Sequence, residues 1–245
     1  MLRLLRLSVV ALSLVVISSR GDDPPGRPGP NAQGFLLPNG WTITPAGKHV
    51  ALTDLPLNIL PLADGKRVVV ATSGYNKHEL CLIDLTSPRV IDRQQVYQSW
   101  FGLALSADQK KLWWSGGGAS MVHAFDLADQ KLTRTSPEDL NPAKLTREEL
   151  NKLKSQHTFK SGLALDAKRQ LLYSLDINAG TITAINLQDG ASGKPAPCGS
   201  RPYDVVLARS GLHLYISDWA DRMVMAVNPD DLRVVAKIPV GEHHN

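Results

Sequence analysis

The sequence predicts an all-β fold assembled from four-stranded antiparallel units, on three observations. One pattern of short apolar strands recurs four times along the 245-residue chain. Those strands are rich in β-branched and aromatic residues and end at turn-forming residues. No amphipathic segment of helix length separates them, which argues against alternating βαβ units.

The elements follow in order. Residues 1–19 carry Arg3 and Arg6 and then an apolar run at 7–17 broken only by Ser8 and Ser13. A basic start followed by a short apolar stretch is the pattern of a secretory signal, and the run falls short of the roughly 20 residues that span a bilayer. The mature chain is therefore expected in the periplasm or outside the cell, with no stable transmembrane span. Residues 20–34, rich in proline and glycine, hold almost nothing that could pack and read as a spacer. Segments 35–37 and 41–44, the turn at 45–47 and segment 49–52 make a hairpin-sized preface suited to sealing a terminal β edge.

The repeat occupies the remainder of 35–245. Its leading segments are NILPLADGKRVVV (58–70), GLALSADQKKLWW (102–114), GLALDAKRQLLY (162–173) and DVVLARSGLHLY (204–215). Their starts lie 44, 60 and 42 residues apart, so one period near 43 is interrupted by a single insertion. Partner strands such as LCLID (80–84), MVHAFD (121–126), TITAIN (181–186) and MVMAVN (223–228) each end at an acid or Asn that can hydrogen-bond the following turn. Four strands at a period of about 40 residues are the signature of a propeller blade. The units fall at about 55–98, 99–159, 160–200 and 201–240. The insertion, 133–159, offers two helix starts: Ser136 before Pro137, and Thr146 three residues ahead of Glu149, a capping box opening a helix at 147–154.

Composition excludes several function classes. Of the 27 Lys and Arg against 23 Asp and Glu, two belong to the expected signal, so the residual positive charge supports no nucleic-acid partner. Two cysteines exclude a cysteine-built metal or iron-sulfur cluster. Export would permit a disulfide between Cys81 and Cys198, but their units need not touch. His123 and His213 alternate with apolar strand residues and read as structural. The adjacent His243 and His244 are the remaining, weak metal candidates. The run Gly116-Gly117-Gly118 lacks the lysine and helix of a phosphate-binding loop and reads as a tight strand connection. Trp113 and Trp114 point to opposite faces of one strand. No nucleophile elbow occurs, and no cofactor is indicated.

In a propeller the starts of the innermost strands line the central channel, which directs attention to Asn58, Trp100, Phe101, Ser161, Arg201, Tyr203 and Asp204. Trp100 and Phe101 either floor a ligand pocket or pack between blades. Arg201 and Asp204 either hold an anion and a hydroxyl at the channel mouth or satisfy backbone groups and each other.

Certain motifs carry a family resemblance. RPYD (201–204), LYISD (214–218) and AKIPVG (236–241) resemble the repeat of bacterial surface-layer-like propellers whose strand motif reads Tyr-Val-Thr-Asn, with LYSLD (172–176) a looser copy. LPNGW (37–41), PAGK (45–48), LPLN (55–58), SWFGL (99–103) and SGGG (115–118) are similar to the start of exported seven-bladed members, many of which precede an alkaline-phosphatase-type phosphoesterase domain. The resemblance covers nearly all of 35–245 and implies a seven-bladed ring of which about four blades are present, as in a fragment or truncated product. The second unit has Ala107-Asp108-Gln109 where the family uses a Pro-Asp-Gly turn.

The reading that follows is a non-catalytic extracytoplasmic module that binds a small molecule or protein, accessory to a hydrolase domain, with self-association through open blade edges. An alternative is a hydrolase, lactonase-like or phosphoesterase-associated. Propeller lactonases hold a divalent ion through Glu, Asn and Asp of different blades; Asn58 and Asp204 sit at suitable strand starts, but Trp100 and Ser161 occupy the places between. A quinoprotein dehydrogenase-like propeller is a further alternative; its haem form lacks the required Cys-x-x-Cys-His.

Overall fold

The structure, a computed structural model, describes residues 27–31, 34–44, 46–155 and 158–241. The expected signal segment, most of the spacer, and His243 and His244 lie outside the described residues. The chain divides into two compact units, one ending at Lys48 and one beginning at His49.

The first unit is a three-stranded antiparallel sheet of β1 (Gly29–Asn31), β2 (Gly34–Leu36) and β3 (Thr42–Ile43). Two expectations are corrected here. The third strand comes from the spacer, whereas 49–52 forms no strand. An edge position explains the first, because Pro30 has no N–H to offer a further neighbour and needs none there.

The second unit contains four four-stranded antiparallel sheets in chain order. Blade 1 is β4 (Leu55–Pro61), β5 (Arg67–Ser73), β6 (His78–Asp84) and β7 (Arg89–Val96). Blade 2 is β8 (Leu103–Leu105), β9 (Lys111–Ser115), β10 (Val122–Ala128) and β11 (Lys131–Arg134). Blade 3 is β12 (Lys160–Asp166), β13 (Leu171–Asp176), β14 (Thr181–Asn186) and β15 (Ala196–Pro197). Blade 4 is β16 (Pro202–Leu207), β17 (Leu214–Asp218), β18 (Met223–Val227) and β19 (Val234–Pro239). The first strands touch in sequence, β4 with β8, β8 with β12 and β12 with β16, so they form the inner edge of successive blades.

Period-2 alternation gives each blade two apolar faces, and these build the core. Val69, Leu80, Leu82, Trp114, Phe125 and Leu132 fill the seam between blades 1 and 2. Tyr173, Leu175, Ile182, Val205, Ile216 and Met225 fill the seam between blades 3 and 4. Fully burying one such side chain contributes about 1.5–3 kcal/mol, so these seams dominate stability. The outer face of blade 1 (Val68, Val70, Cys81, Ile83) is covered by Val50 and Leu52, which is where the expected preface strand goes instead. As expected, the two tryptophans part: Trp114 is fully buried in the first seam, while half-buried Trp113 faces blade 3.

The first turn of each blade needs one left-handed residue, Gly65, Gln109, Gln170 or Gly211, with φ of 64°, 59°, 56° and 70°. A side chain in that region costs about 1–2 kcal/mol. Gln109 offsets it by accepting the Ala63 N–H at 2.9 Å, and Gln170 by donating to the Ala167 carbonyl at 2.6 Å. Blade 2 thus makes its first turn with Gln109 where blades 1 and 4 use glycine.

The insertion forms α1 (Arg147–Ser155), opened by the Thr146–Glu149 capping box: Thr146 N–H donates to Glu149 Oε2 at 2.8 Å and Glu149 N–H to Thr146 Oγ1 at 3.3 Å. No helix starts at Pro137: residues 137–141 are irregular, and a single 3-10 turn, Pro142–Lys144, comes next. Asp139 is instead drawn inward, accepting the Tyr97 and Gln98 N–H groups at 2.8 and 2.9 Å and the Arg134 guanidinium at 3.2 Å. Those bonds outweigh the local helix signal.

Candidate ligand-binding site at the inner strand starts

Every inner strand enters its blade through one extra residue. The pairing register slips between Pro56 and Asn58, between Lys160 and Leu163, and between Pro202 and Asp204. In blade 2 the Trp100 N–H donates to the Ser115 carbonyl and the Ser115 N–H donates to the Gly102 carbonyl, each at 2.8 Å, so Phe101 is the extra residue. Such bulges re-aim side chains and favour sites. The residues they present, in blade order, are Leu57, Phe101, Ser161 and Tyr203.

Ser161 is the small member and is fully enclosed, donating to the Pro202 carbonyl at 3.3 Å and tying blade 3 to blade 4. Across it the flanking rings meet. Phe101 and Tyr203 stack with centroids 4.8 Å apart and planes at 25°. Tyr203 stacks in turn on Trp219 at 5.3 Å and 25°, and Trp219 is 66% exposed. At the other end Trp100 meets Phe101 and Phe159 edge-on at 6.4 and 5.5 Å. Five aromatic side chains thus form one row across blades 2 to 4. Trp100 and Phe101 are half-buried within it, and the Trp100 Nε1 is buried without a partner.

Asn58 belongs to the frame. Its Nδ2 donates to the Phe101 carbonyl at 2.8 Å, and its Oδ1 accepts the Ile59 N–H at 2.8 Å. Gly102 and Gly162 let the inner strands close up: a Cβ on Gly102 would meet the Ser161 carbonyl, and one on Gly162 would lie 2.8 Å from Asp204 Cα. Asp218 and Asp176, at the ends of β17 and β13, fix the loops. Asp218 Oδ2 accepts the Ser200 and Arg201 N–H groups at 2.6 and 3.0 Å, and Asp176 Oδ1 accepts the Phe159 N–H at 3.0 Å.

Arg201 and Asp204 bracket Tyr203 but do not pair. The Arg201 guanidinium donates to Asn178 Oδ1 at 2.6 Å and is otherwise exposed. Asp204 is open to solvent on one side and crowded by protein on the others. That partial desolvation holds its carboxyl above the usual range, while the Val205 N–H, at 2.8 Å, pulls the other way. Among the described residues no three His, Cys, Asp or Glu side chains converge as a metal site. Asn58 is committed to the Phe101 carbonyl and the Ile59 N–H, and Trp100 and Ser161 stand at the inner strand starts between it and Asp204, so these starts do not present a Glu, Asn and Asp donor set for a divalent ion.

Phe159 and Trp219 are site residues that motif reading passed over. Trp219 directly follows the LYISD motif, and Phe159 stands two positions before Ser161, so alignment of the four bulges would have reached both.

No family model and no curated protein matches the chain. Solved structures share its fold. The β-propeller domain of Myceliophteria thermophila Cps50 aligns with TM-score 0.55 at 13% identity, over 76% of this chain and 58% of that one. The periplasmic gluconolactonase of Pseudomonas aeruginosa gives 0.55 at 15%, over 76% and 54%. A 6-phosphogluconolactonase candidate from Bacteroides fragilis gives 0.56 at 14%, over 76% and 55%. The chain spans less than two-thirds of the length of these proteins. The fold is propeller-like, built from four-stranded blades.

Proposed function

We propose that this chain is an exported propeller module, of the seven-bladed type, whose inner strand starts bind a small polyhydroxylated ring such as a sugar or sugar lactone. One observation carries the reading: an exposed, flat indole, Trp219, backed by stacked Tyr203 and Phe101. Such a row offers a rigid apolar floor for a ring face. Arg201 and Asp204 on either side of Tyr203 supply a donor and an acceptor for ring hydroxyls, the usual division between an apolar floor and a few orienting polar groups. Export rests on the segment 1–19, and no helix among the described residues is long and apolar enough to cross a membrane.

Hydrolysis of a sugar lactone is the second reading, favoured by the raised carboxyl of Asp204 and by the likeness to a gluconolactonase. An Asp204 carboxylate within reach of a water could take its proton as that water attacks the lactone carbonyl. The mechanism needs no metal step, and none is assigned.

Titration with glucono-1,5-lactone, gluconate and glucose, followed by tryptophan fluorescence, tests binding. Proton release from the lactone above its spontaneous rate tests turnover. Saturable binding without turnover supports the module reading, turnover abolished in Asp204→Asn supports the second, and neither signal removes both.

A further inference from the structure

We propose that the seam between blades 2 and 3 is a second binding site, for a neutral flat aromatic molecule carrying one hydroxyl or carbonyl group. The seam is underfilled. Twelve buried residues pack the seam between blades 1 and 2 and ten pack that between blades 3 and 4, whereas only Ala104, Leu163 and Leu172 are buried in this one. Register explains the deficit. On blade 2 the facing row is Ala104–Trp113–Ala124, with small residues on both sides of the indole. On blade 3 it is Leu163–Ser174–Thr183, where two small polar residues stand where larger apolar ones fill the other seams. The space left is a cleft of about 560 Å³, within the range of about 300–1,000 Å³ usual for small-molecule sites.

The walls fix the ligand class. Trp113, Val122, Leu172 and Ile185 make them largely apolar, and the half-buried Trp113 indole offers a flat face. One polar group of the lining is unmet: Ser174 is 1% exposed and its buried Oγ has no hydrogen-bond partner. Such a buried hydroxyl can both donate and accept, so it gains from one hydroxyl or carbonyl on the ligand. The one cation in the lining, Lys160, is already matched by Asp176 at 3.4 Å, so the cleft holds no free charge for an ionic head. The cleft is distinct from the aromatic row, with which it shares no residue.

The probe is 2-naphthol, titrated into the full chain and followed by its own fluorescence, beside naphthalene and 2-naphthoate. Saturable binding is expected for 2-naphthol, with 2-naphthoate at least about tenfold weaker. Ser174→Ala should weaken 2-naphthol about tenfold and leave naphthalene unchanged. Ala124→Leu should fill the cleft and remove binding of both, and Trp219→Ala should alter neither. If Ala124→Leu does not fold, NOEs between the naphthol ring and the Trp113 indole in the unsubstituted chain decide the location. Absence of saturable binding, tighter binding of 2-naphthoate, NOEs elsewhere, or binding indifferent to both cleft substitutions would overturn the proposal.

Discussion

The rings of Phe101 and Tyr203 stack at 4.8 Å although blade 3 stands between their strands in the chain. The bulge makes this contact. It turns the extra residue of blades 2 and 4 inward, while the matching residue of blade 3, Ser161, is small enough to pass beneath both rings.

A double-mutant cycle measures that contact. Phe101→Ala and Tyr203→Ala, separately and together, should show a coupling of about 0.5–1.5 kcal/mol in urea unfolding, the range for stacked aromatic pairs. Additive effects would mean that the rings do not meet in solution.

How far the sequence foretold this arrangement can be judged from single elements. The four blades were legible because alternation and end-of-strand Asp or Asn residues are local signals: Asp84 accepts the Thr86 N–H at 2.8 Å and Asn228 the Asp230 N–H at 2.9 Å, as turn chemistry requires. The Thr146–Glu149 cap was legible for the same reason. The Ser136 start was not, because Asp139 is held by Tyr97 and Gln98, some forty residues away in sequence. The inner strand starts were legible as a region, but their pairings were not. Asn58 reaches the neighbouring blade's carbonyl and Arg201 turns to Asn178, contacts set by how blades adjoin.

Asp204→Asn should separate stability from binding. The folded chain raises this carboxyl, so it holds its proton more tightly than the unfolded chain does. Stability is then full below the unfolded pKa of about 3.9 and falls as pH rises through the folded value. The amide cannot ionise. The variant should melt at a higher temperature than the parent at pH 7 and at the same temperature near pH 3, while binding the ring ligand about tenfold more weakly. Equal melting at both pH values would contradict the desolvated setting.

His123 should set an acid limit on stability. It is fully buried, with Nε2–H donating to the Gln98 carbonyl at 2.8 Å and Nδ1 accepting the Arg134 guanidinium at 3.0 Å, which needs a neutral ring. Burial pushes its pKa down first of all. The Gln98 carbonyl and Asp139 oppose that shift, and Arg134 and His78 reinforce it. The unfolded chain therefore binds the extra proton first: the contribution is complete above about pH 6.5 and drains away as pH falls towards the folded value. Unfolding free energy should decline as pH falls below about 6.5, and less steeply in His123→Gln. Parallel profiles would assign the decline to other groups.

Cys81 and Cys198 are both free and buried, their thiols pushed up to about 11 and about 12 chiefly by desolvation. Only thiolate reacts at a useful rate. An aromatic disulfide reagent at pH 8 should leave both unmodified in the native chain and titrate both after denaturation in urea. Rapid labelling before denaturation would show that the seam around Cys198 or the face around Cys81 opens.

The central claim is that the row ending at Trp219 is a floor for a polyhydroxylated ring, and a paired titration tests it most directly. Glucono-1,5-lactone, gluconate and glucose are titrated into the parent chain and into Trp219→Ala by calorimetry, with circular dichroism confirming equal folding. The account predicts saturable binding of at least one of the three by the parent and a loss of at least about tenfold, near 1.4 kcal/mol, in the variant. No saturable binding of any of them, or equal affinity in both chains, would contradict it.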